Sequence, residues 1–162
     1  QGVRRRQELL FQKGNITVYE DFAHHPTAVG AMLREIRQRY PRHVIWALYE
    51  PRSATSRRRV FQEELPEVFR MADHVLSKTP YRLEAIPEDQ RIDMNRVMHL
   101  LREKGVDAAL LDNVETILDH LFQGLDETHE HVIVIMSNGG FDGIYGKILQ
   151  RAEEYFSKIT AV

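Results

Sequence analysis

A carboxylate and two imidazoles stand together in Glu20-Asp21-Phe22-Ala23-His24-His25-Pro26-Thr27. Two further stretches carry comparable chemistry: Glu50-Pro51-Arg52-Ser53 and Ser137-Asn138-Gly139-Gly140-Phe141-Asp142-Gly143. An aspartate such as Asp21 could hold a hydroxyl, a ribose for example, or cap the helix after it. His24 and His25 could act as metal ligands, as a base, or as donors to a substrate. Adjacent loop histidines point in different directions, so joint chelation is disfavoured. No third His or carboxylate lies at the helical spacing of a zinc motif, and no metal site is expected. The Arg52 guanidinium could grip a carboxylate or phosphate through two parallel bonds. The glycine loop allows tight turning and offers backbone N–H groups to an anion at a helix start. It lacks the Gly-Lys-Ser/Thr of a P-loop and the full dinucleotide fingerprint.

Each stretch must be positioned by a strand before it and a helix after it. Ile16 to Tyr19 is β-prone, and with Gln7 to Gln12 it brackets a hairpin turn at Lys13-Gly14-Asn15. Pro26 can open a helix reaching Tyr40, with Val29, Met32, Leu33 and Ile36 at helical spacing. His43 to Tyr49 and His131 to Met136 are nearly continuous apolar runs, as expected of central parallel strands covered on both faces. Arg57 to Ala72 reads as a helix that Pro66 should kink or split, with Val60, Phe61, Leu65, Val68 and Phe69 on its packed side. His74 to Ser77 and Ala108 to Leu111 are shorter strands, and Thr79 to Ile92 is irregular. Asp93 and Asn113 are N-caps for two more helices, and a last helix runs from about Ile144 to Phe156. His129 and His131, near Asp126-Glu127, read as surface residues. The alternation predicts an α/β fold, one Rossmann-like domain whose mostly parallel sheet is flanked by helices and preceded by a hairpin.

At 162 residues the chain can bury a core of its own. A net charge of −2 supplies no global field for nucleic acid or an anionic membrane, and neither partner is expected. The absence of cysteine excludes a disulfide framework and fits a reducing cytoplasm. The abrupt start at Gln1-Gly2-Val3-Arg4 suggests a piece of something longer.

Taken in order, Asp21-Phe22-Ala23-His24-His25-Pro26-Thr27, Glu50-Pro51-Arg52-Ser53 and Met136-Ser137-Asn138-Gly139-Gly140 resemble the C-terminal domain of the Mur ligases over essentially the whole chain. The branch most similar is the one that joins UDP-N-acetylmuramate to L-alanyl-γ-D-glutamyl-meso-diaminopimelate in peptidoglycan recycling. The first motif is shared with the alanine-adding branch. The resemblance implies a ligase that activates a carboxylate as an acyl phosphate with ATP and Mg²⁺, then forms an amide with an incoming amine. It implies that residues 1–162 are the third domain, which brings the amine substrate and closes over the nucleotide. The N-terminal and central domains, the latter holding the P-loop and Mg²⁺ ligands, lie outside this sequence. An isolated third domain is then expected to have little or no ligase activity.

By the same resemblance, Arg6 should reach ATP phosphates, Asp21 the ribose, and Phe22 the adenine. His24 lies near the amine and is a candidate base or positioning group, with His25 beside it. Arg52 and Ser53 should grip a substrate carboxylate, and Asn138, Gly139 and Gly140 the far end of the tripeptide. Few acidic neighbours are expected around that arginine. The sequence departs from the alanine-adding branch at Ser56, where that branch has a second arginine; Arg57 to Arg59 could substitute. A stand-alone nucleotide- or anion-binding module is disfavoured by the hinge-like start, and a small α/β hydrolase by the absence of a Gly-x-Ser-x-Gly elbow.

Overall fold

Six strands form one sheet in the order β1-β2-β6-β3-β4-β5. A computed structural model of the chain describes residues 7–161. Strand β1 (Glu8–Lys13) pairs antiparallel with β2 (Ile16–Asp21) across a Gly14-Asn15 turn, where Gly14 takes a positive φ of 56°. All other pairings, among β2, β3 (Val44–Tyr49), β4 (His74–Lys78), β5 (Asp107–Leu111) and β6 (His131–Met136), are parallel. The expected α/β architecture with its N-terminal hairpin is the observed one.

Parallel neighbours need crossover connections, and right-handed ones place helices by the direction of travel along the sheet. Helices α1 (Pro26–Arg39), α2 (Leu65–Phe69) and α3 (Met94–Glu103) follow β2, β3 and β4. They share one core with Tyr49, Val75, Val134 and Met136. The return from β5 to β6 runs through α4 (Val114–Gly124), and α5 (Ile144–Thr160) follows β6. Both pack with Leu48, Leu76, Ile133 and Ile135 on the opposite face. Alternate residues of β3 and β6 thus serve two cores, which is why those two strands read as apolar runs. Between β2, β6 and β3 the chain leaves the sheet toward opposite faces, which is where α/β folds open a crevice.

Local signals set most helix starts. His25 caps α1 with its imidazole, accepting from the Thr27 N–H at 3.1 Å, and Pro26 occupies the first helical position. Asp93 and Asn113 cap α3 and α4 through the Arg96 and Thr116 N–H groups. The predicted helix over residues 57–72 is not continuous. It divides into a 3-10 turn, Arg59–Phe61, and the short α2, with Val60 67% exposed rather than packed. The Ser53 hydroxyl accepts the Ser56 N–H, and Arg57 donates its guanidinium to the carbonyls of Ser53, Tyr81 and Arg82. Those contacts hold the first turn off a helical path, and Pro66 near the start of α2 supplies the break.

His131 is a second correction. It is 1% exposed rather than at the surface. The Trp46 Nε1–H donates to His131 Nδ1 at 3.1 Å, which leaves the proton on Nε2, 3.2 Å from Asp126 Oδ1. His129, by contrast, is exposed. Burial pushes the His131 imidazole below its ordinary pKa, partly opposed by Asp126. Protonating Nδ1 would set two N–H groups against each other. A histidine with a depressed folded pKa contributes stability that is full above its unfolded pKa of about 6.5 and is lost as pH falls through the folded value. Urea midpoints are therefore expected to fall between about pH 7 and pH 5. In His131→Gln this segment of the profile should be flatter; an equal slope in both proteins would refute the assignment.

Candidate functional site

The ends of three neighbouring strands lie in register: Asp21 pairs with Met136, and Met136 with Tyr49. The Ser137 N–H donates to the Asp21 carbonyl and the Glu50 N–H to the Met136 carbonyl, both at 3.2 Å. The three polar loops singled out in the sequence therefore start side by side at the carboxyl edge of the sheet, on the crevice where the chain changes face.

Two groups of side chains form there. The first surrounds a cavity of about 410 Å³ lined by Gln7, Asp21, Phe22, His24, Ala28 and Met32, with His25 and Glu35 at its margin. Asp21 is buried, and its carboxylate accepts from the Ala23 N–H at 2.7 Å and the Gln7 N–H at 2.8 Å. These bonds shape the loop; the cap of α1 is His25 instead. His24 Nδ1 lies 3.0 Å from the Phe22 carbonyl, which can only accept, so Nδ1 carries a proton and the neutral imidazole has its lone pair on Nε2. The Tyr49 hydroxyl donates to the His24 carbonyl at 3.2 Å, and burial raises the pKa of that phenol so that it stays protonated. His25 Nδ1 is engaged by the helix cap, and its ring meets Phe61 edge-on at 4.4 Å. The two histidines thus have opposite tautomers and different roles. Arg6 lies outside the described residues.

The second group joins the other two loops. Glu50 is fully buried; the Ser137 hydroxyl donates to its Oε1 at 2.8 Å and the Arg52 guanidinium to its Oε2 at 3.4 Å. Ser137 Oγ also accepts from the Gly139 N–H at 3.0 Å, which sets the glycine loop. Arg52 crosses directly over Gly139, where any Cβ would overlap its Cδ and Nε. Its guanidinium lies 3.9 Å from the Tyr81 ring centroid, and the Tyr81 N–H donates to the Pro51 carbonyl at 3.1 Å. Arg52 and the glycine loop converge as expected. The expectation of few acidic neighbours is overturned, because Glu50 is paired with the arginine. Guanidinium has five donors, so one bond to Glu50 leaves others for a ligand carboxylate.

Ser53 turns inward: its hydroxyl accepts the Ser56 N–H at 3.0 Å and bonds Ser56 Oγ at 2.9 Å. Ser56 itself is buried in this turn, and Arg57 is tied to backbone carbonyls. Asn138 and Gly140 are exposed at the loop tip. Two contributors had no signal of their own in the sequence. Glu50 belongs to the Glu50-Pro51-Arg52-Ser53 motif, but its role appears only with Ser137 placed against it, and Tyr81 lies in the stretch expected to be irregular. Among the described residues no group of three or more His, Asp or Glu side chains is placed to hold a metal ion. No described helix is long and apolar enough to cross a membrane.

Comparison with known proteins agrees with this architecture. The profile of the family described as Mur ligase, glutamate ligase domain, matches residues 5–139. The UDP-N-acetylmuramate–L-alanyl-γ-D-glutamyl-meso-2,6-diaminoheptandioate ligase of Haemophilus influenzae is 33% identical over 150 residues, 91% of this chain and 30% of that protein. The UDP-N-acetylmuramate–L-alanine ligase of Acetivibrio thermocellus is 34% identical over 122 residues, 74% of this chain and 25% of that protein. The crystal structure of a murein peptide ligase from Psychrobacter arcticus superposes with a TM-score of 0.74 at 32% identity, covering 90% of this chain and 29% of that one. The chain thus spans less than a third of the length of these relatives. With the family profile matched over most of its length and the three loops built on the same sheet edge, this chain belongs to the Mur ligase family and carries its C-terminal domain.

Proposed function

We propose that this chain is the amine-substrate-binding and closing domain of an ATP-dependent ligase that joins UDP-N-acetylmuramate to L-alanyl-γ-D-glutamyl-meso-diaminopimelate through an acyl phosphate, in peptidoglycan recycling. The observation that carries the reading is the buried Glu50–Ser137 bond, which locks Arg52 and the glycine loop into one unit. Arg52 presents donors for a peptide carboxylate, and the backbone around Asn138, Gly139 and Gly140 lies beside it. The cavity around Asp21 and Phe22 has apolar walls and a fixed carboxylate, which suits a nucleoside, and its volume is within the usual range of ligand pockets. ATP would supply the phosphoryl group that activates the muramyl carboxylate; Asp21 and Phe22 would hold the ribose and base. The Mg²⁺ would be held mainly by the central domain of the full ligase; among the described residues no group of three or more His, Asp or Glu side chains is placed for a metal ion. His24, with a lone pair on Nε2, is the candidate for accepting a proton from the attacking amine, which must be neutral to react. The substrate-facing residues of this reading are His24, His25, Arg52, Ser53, Asn138, Gly139 and Gly140. The similarity to alanine-adding ligases supports a second reading, in which the amine is L-alanine; the fully engaged Ser56 at the position of that branch's second arginine disfavours it.

An amide-NMR titration of the chain with the tripeptide is expected to give saturable shifts at Arg52 and residues 138–143. ATP, titrated separately, should act weakly and near Asp21 and Phe22. The isolated chain should show no ligase turnover. Absence of tripeptide shifts would overturn the assignment of peptide recognition to this domain, and saturation by L-alanine alone would favour the second reading.

A further inference from the structure

One step beyond the register of Ser77, Tyr49 and Met136 lie Lys78, Glu50 and Ser137. The pleat turns all three toward the face that carries Leu76, Leu48 and Ile135. Lys78 is therefore built onto the same edge as the Glu50–Arg52–Ser137 unit, though nothing in the sequence motifs pointed to it. Its side chain is only 13% exposed, and its ammonium lies 3.2 Å from Asp142 Oδ2. The glycine loop carrying Asp142 winds left-handed through three residues, with φ of 47° at Phe141, 49° at Asp142 and 75° at Gly143. Two of the three have side chains and pay the steric cost of that conformation. The loop is held there by the fully buried Phe141 ring and by the Lys78–Asp142 contact.

At this edge Arg52 and Lys78 are each matched to a carboxylate of the chain itself, but the two matches differ. Glu50 is fully buried and pinned by Ser137, so it cannot leave Arg52. Asp142 is half exposed, at the end of a loop, and can leave Lys78. A ligand carboxylate must share Arg52 with Glu50, whereas it can replace Asp142 at Lys78 outright. We infer that Lys78 is a specificity-determining residue that binds a second carboxylate of the amine substrate, with Asp142 holding its place until the peptide arrives. The ligand class is a peptide with two carboxylates at its far end, one for Arg52 and one for Lys78. The inference rests on the peptide-binding reading above.

The test compares two peptides by NMR titration of the chain: L-Ala-γ-D-Glu-meso-diaminopimelate and L-Ala-γ-D-Glu-L-Lys, which lacks one terminal carboxylate. The chain is expected to prefer the first by about tenfold, the scale of one charge-assisted contact. Lys78→Gln should bring the two affinities level, and Asp142→Asn, whose side chain tolerates the left-handed backbone, should tighten the first peptide several-fold. On saturation with the first peptide, the Lys78 Cε–Hε signal of the unmutated chain should shift, which gives a reading even if Lys78→Gln misfolds. A preference retained in Lys78→Gln, or an unmoved Lys78 signal with Arg52 responding, would overturn this inference alone. Failure of both peptides to bind would overturn the underlying reading and this inference with it.

Discussion

Arg52→Ala is expected to weaken tripeptide binding by roughly 30- to 100-fold, the range for losing a multiply bonded, partly desolvated charge contact. It should also cost about 1–3 kcal/mol of folding stability, because Glu50 would keep a buried carboxylate with one partner fewer. Arg52→Lys separates the two effects. A lysine still neutralises Glu50, so stability should hold, but a point charge cannot make the paired bonds of the fork or lie flat against Tyr81, so binding should still fall about tenfold. Gly139→Ala reaches the same binding defect by another route. Its Cβ would occupy the space of Arg52 Cδ and Nε, and the flexible arginine would move off Tyr81 while the sheet stayed intact. Calorimetric titration together with thermal unfolding checks all three. Wild-type affinity in Arg52→Ala would remove the arginine from the site, and an undiminished affinity in Gly139→Ala would show that its stacked position is unimportant.

Trp46→Ala should destabilise the domain by about 3–5 kcal/mol, the range for emptying a buried aromatic position. Trp46 is 2% exposed and stacks on His74 at 3.7 Å. It donates to His131 and lies against Gly124 at the end of α4, which has no room for a side chain there. Its removal would leave a cavity, strand the His131 Nδ1 lone pair, and loosen the contact between β3 and α4. Trp46→Phe keeps much of the volume but not the N–H, so it should lose less, about 1–3 kcal/mol. Chemical denaturation followed by far-UV circular dichroism is the suitable measurement, since the chain has a single tryptophan and these variants lack it. A loss below about 1 kcal/mol in Trp46→Ala would mean that the site collapses far better than its packing suggests. This anchor lies at the opposite end of the sheet from the loops, so Trp46→Phe should leave peptide binding unchanged.

Much of the scaffold was legible because its causes are local. Continuous apolar runs at His43 to Tyr49 and His131 to Met136 require strands covered on both faces, and both became central strands. Pro26, Asp93 and Asn113 mark helix starts through properties confined to one turn, and all three hold. The three polar loops could be found because each follows a strand. Residues 57–72 depart from the continuous helix that their spacing predicts because distant carbonyls at Tyr81 and Arg82 draw Arg57 out of line. No local pattern reports a partner two dozen residues away.

What the amino-acid order alone determined, then, is the set of elements, their periodicity, and which residue types stand at the strand ends. Only the tertiary structure decided that β6 inserts between β2 and β3, and that choice made three separated loops into one site. It set Ser137 against Glu50, and it slid Tyr81 beneath Arg52. It also placed Lys78 on the same edge and buried His131 beneath Trp46. Backbone propensity and side-chain spacing act over a few residues and can be read in one dimension. Strand order and the pairing of buried polar groups arise when two apolar faces are covered at once, and that constraint exists only in the folded chain.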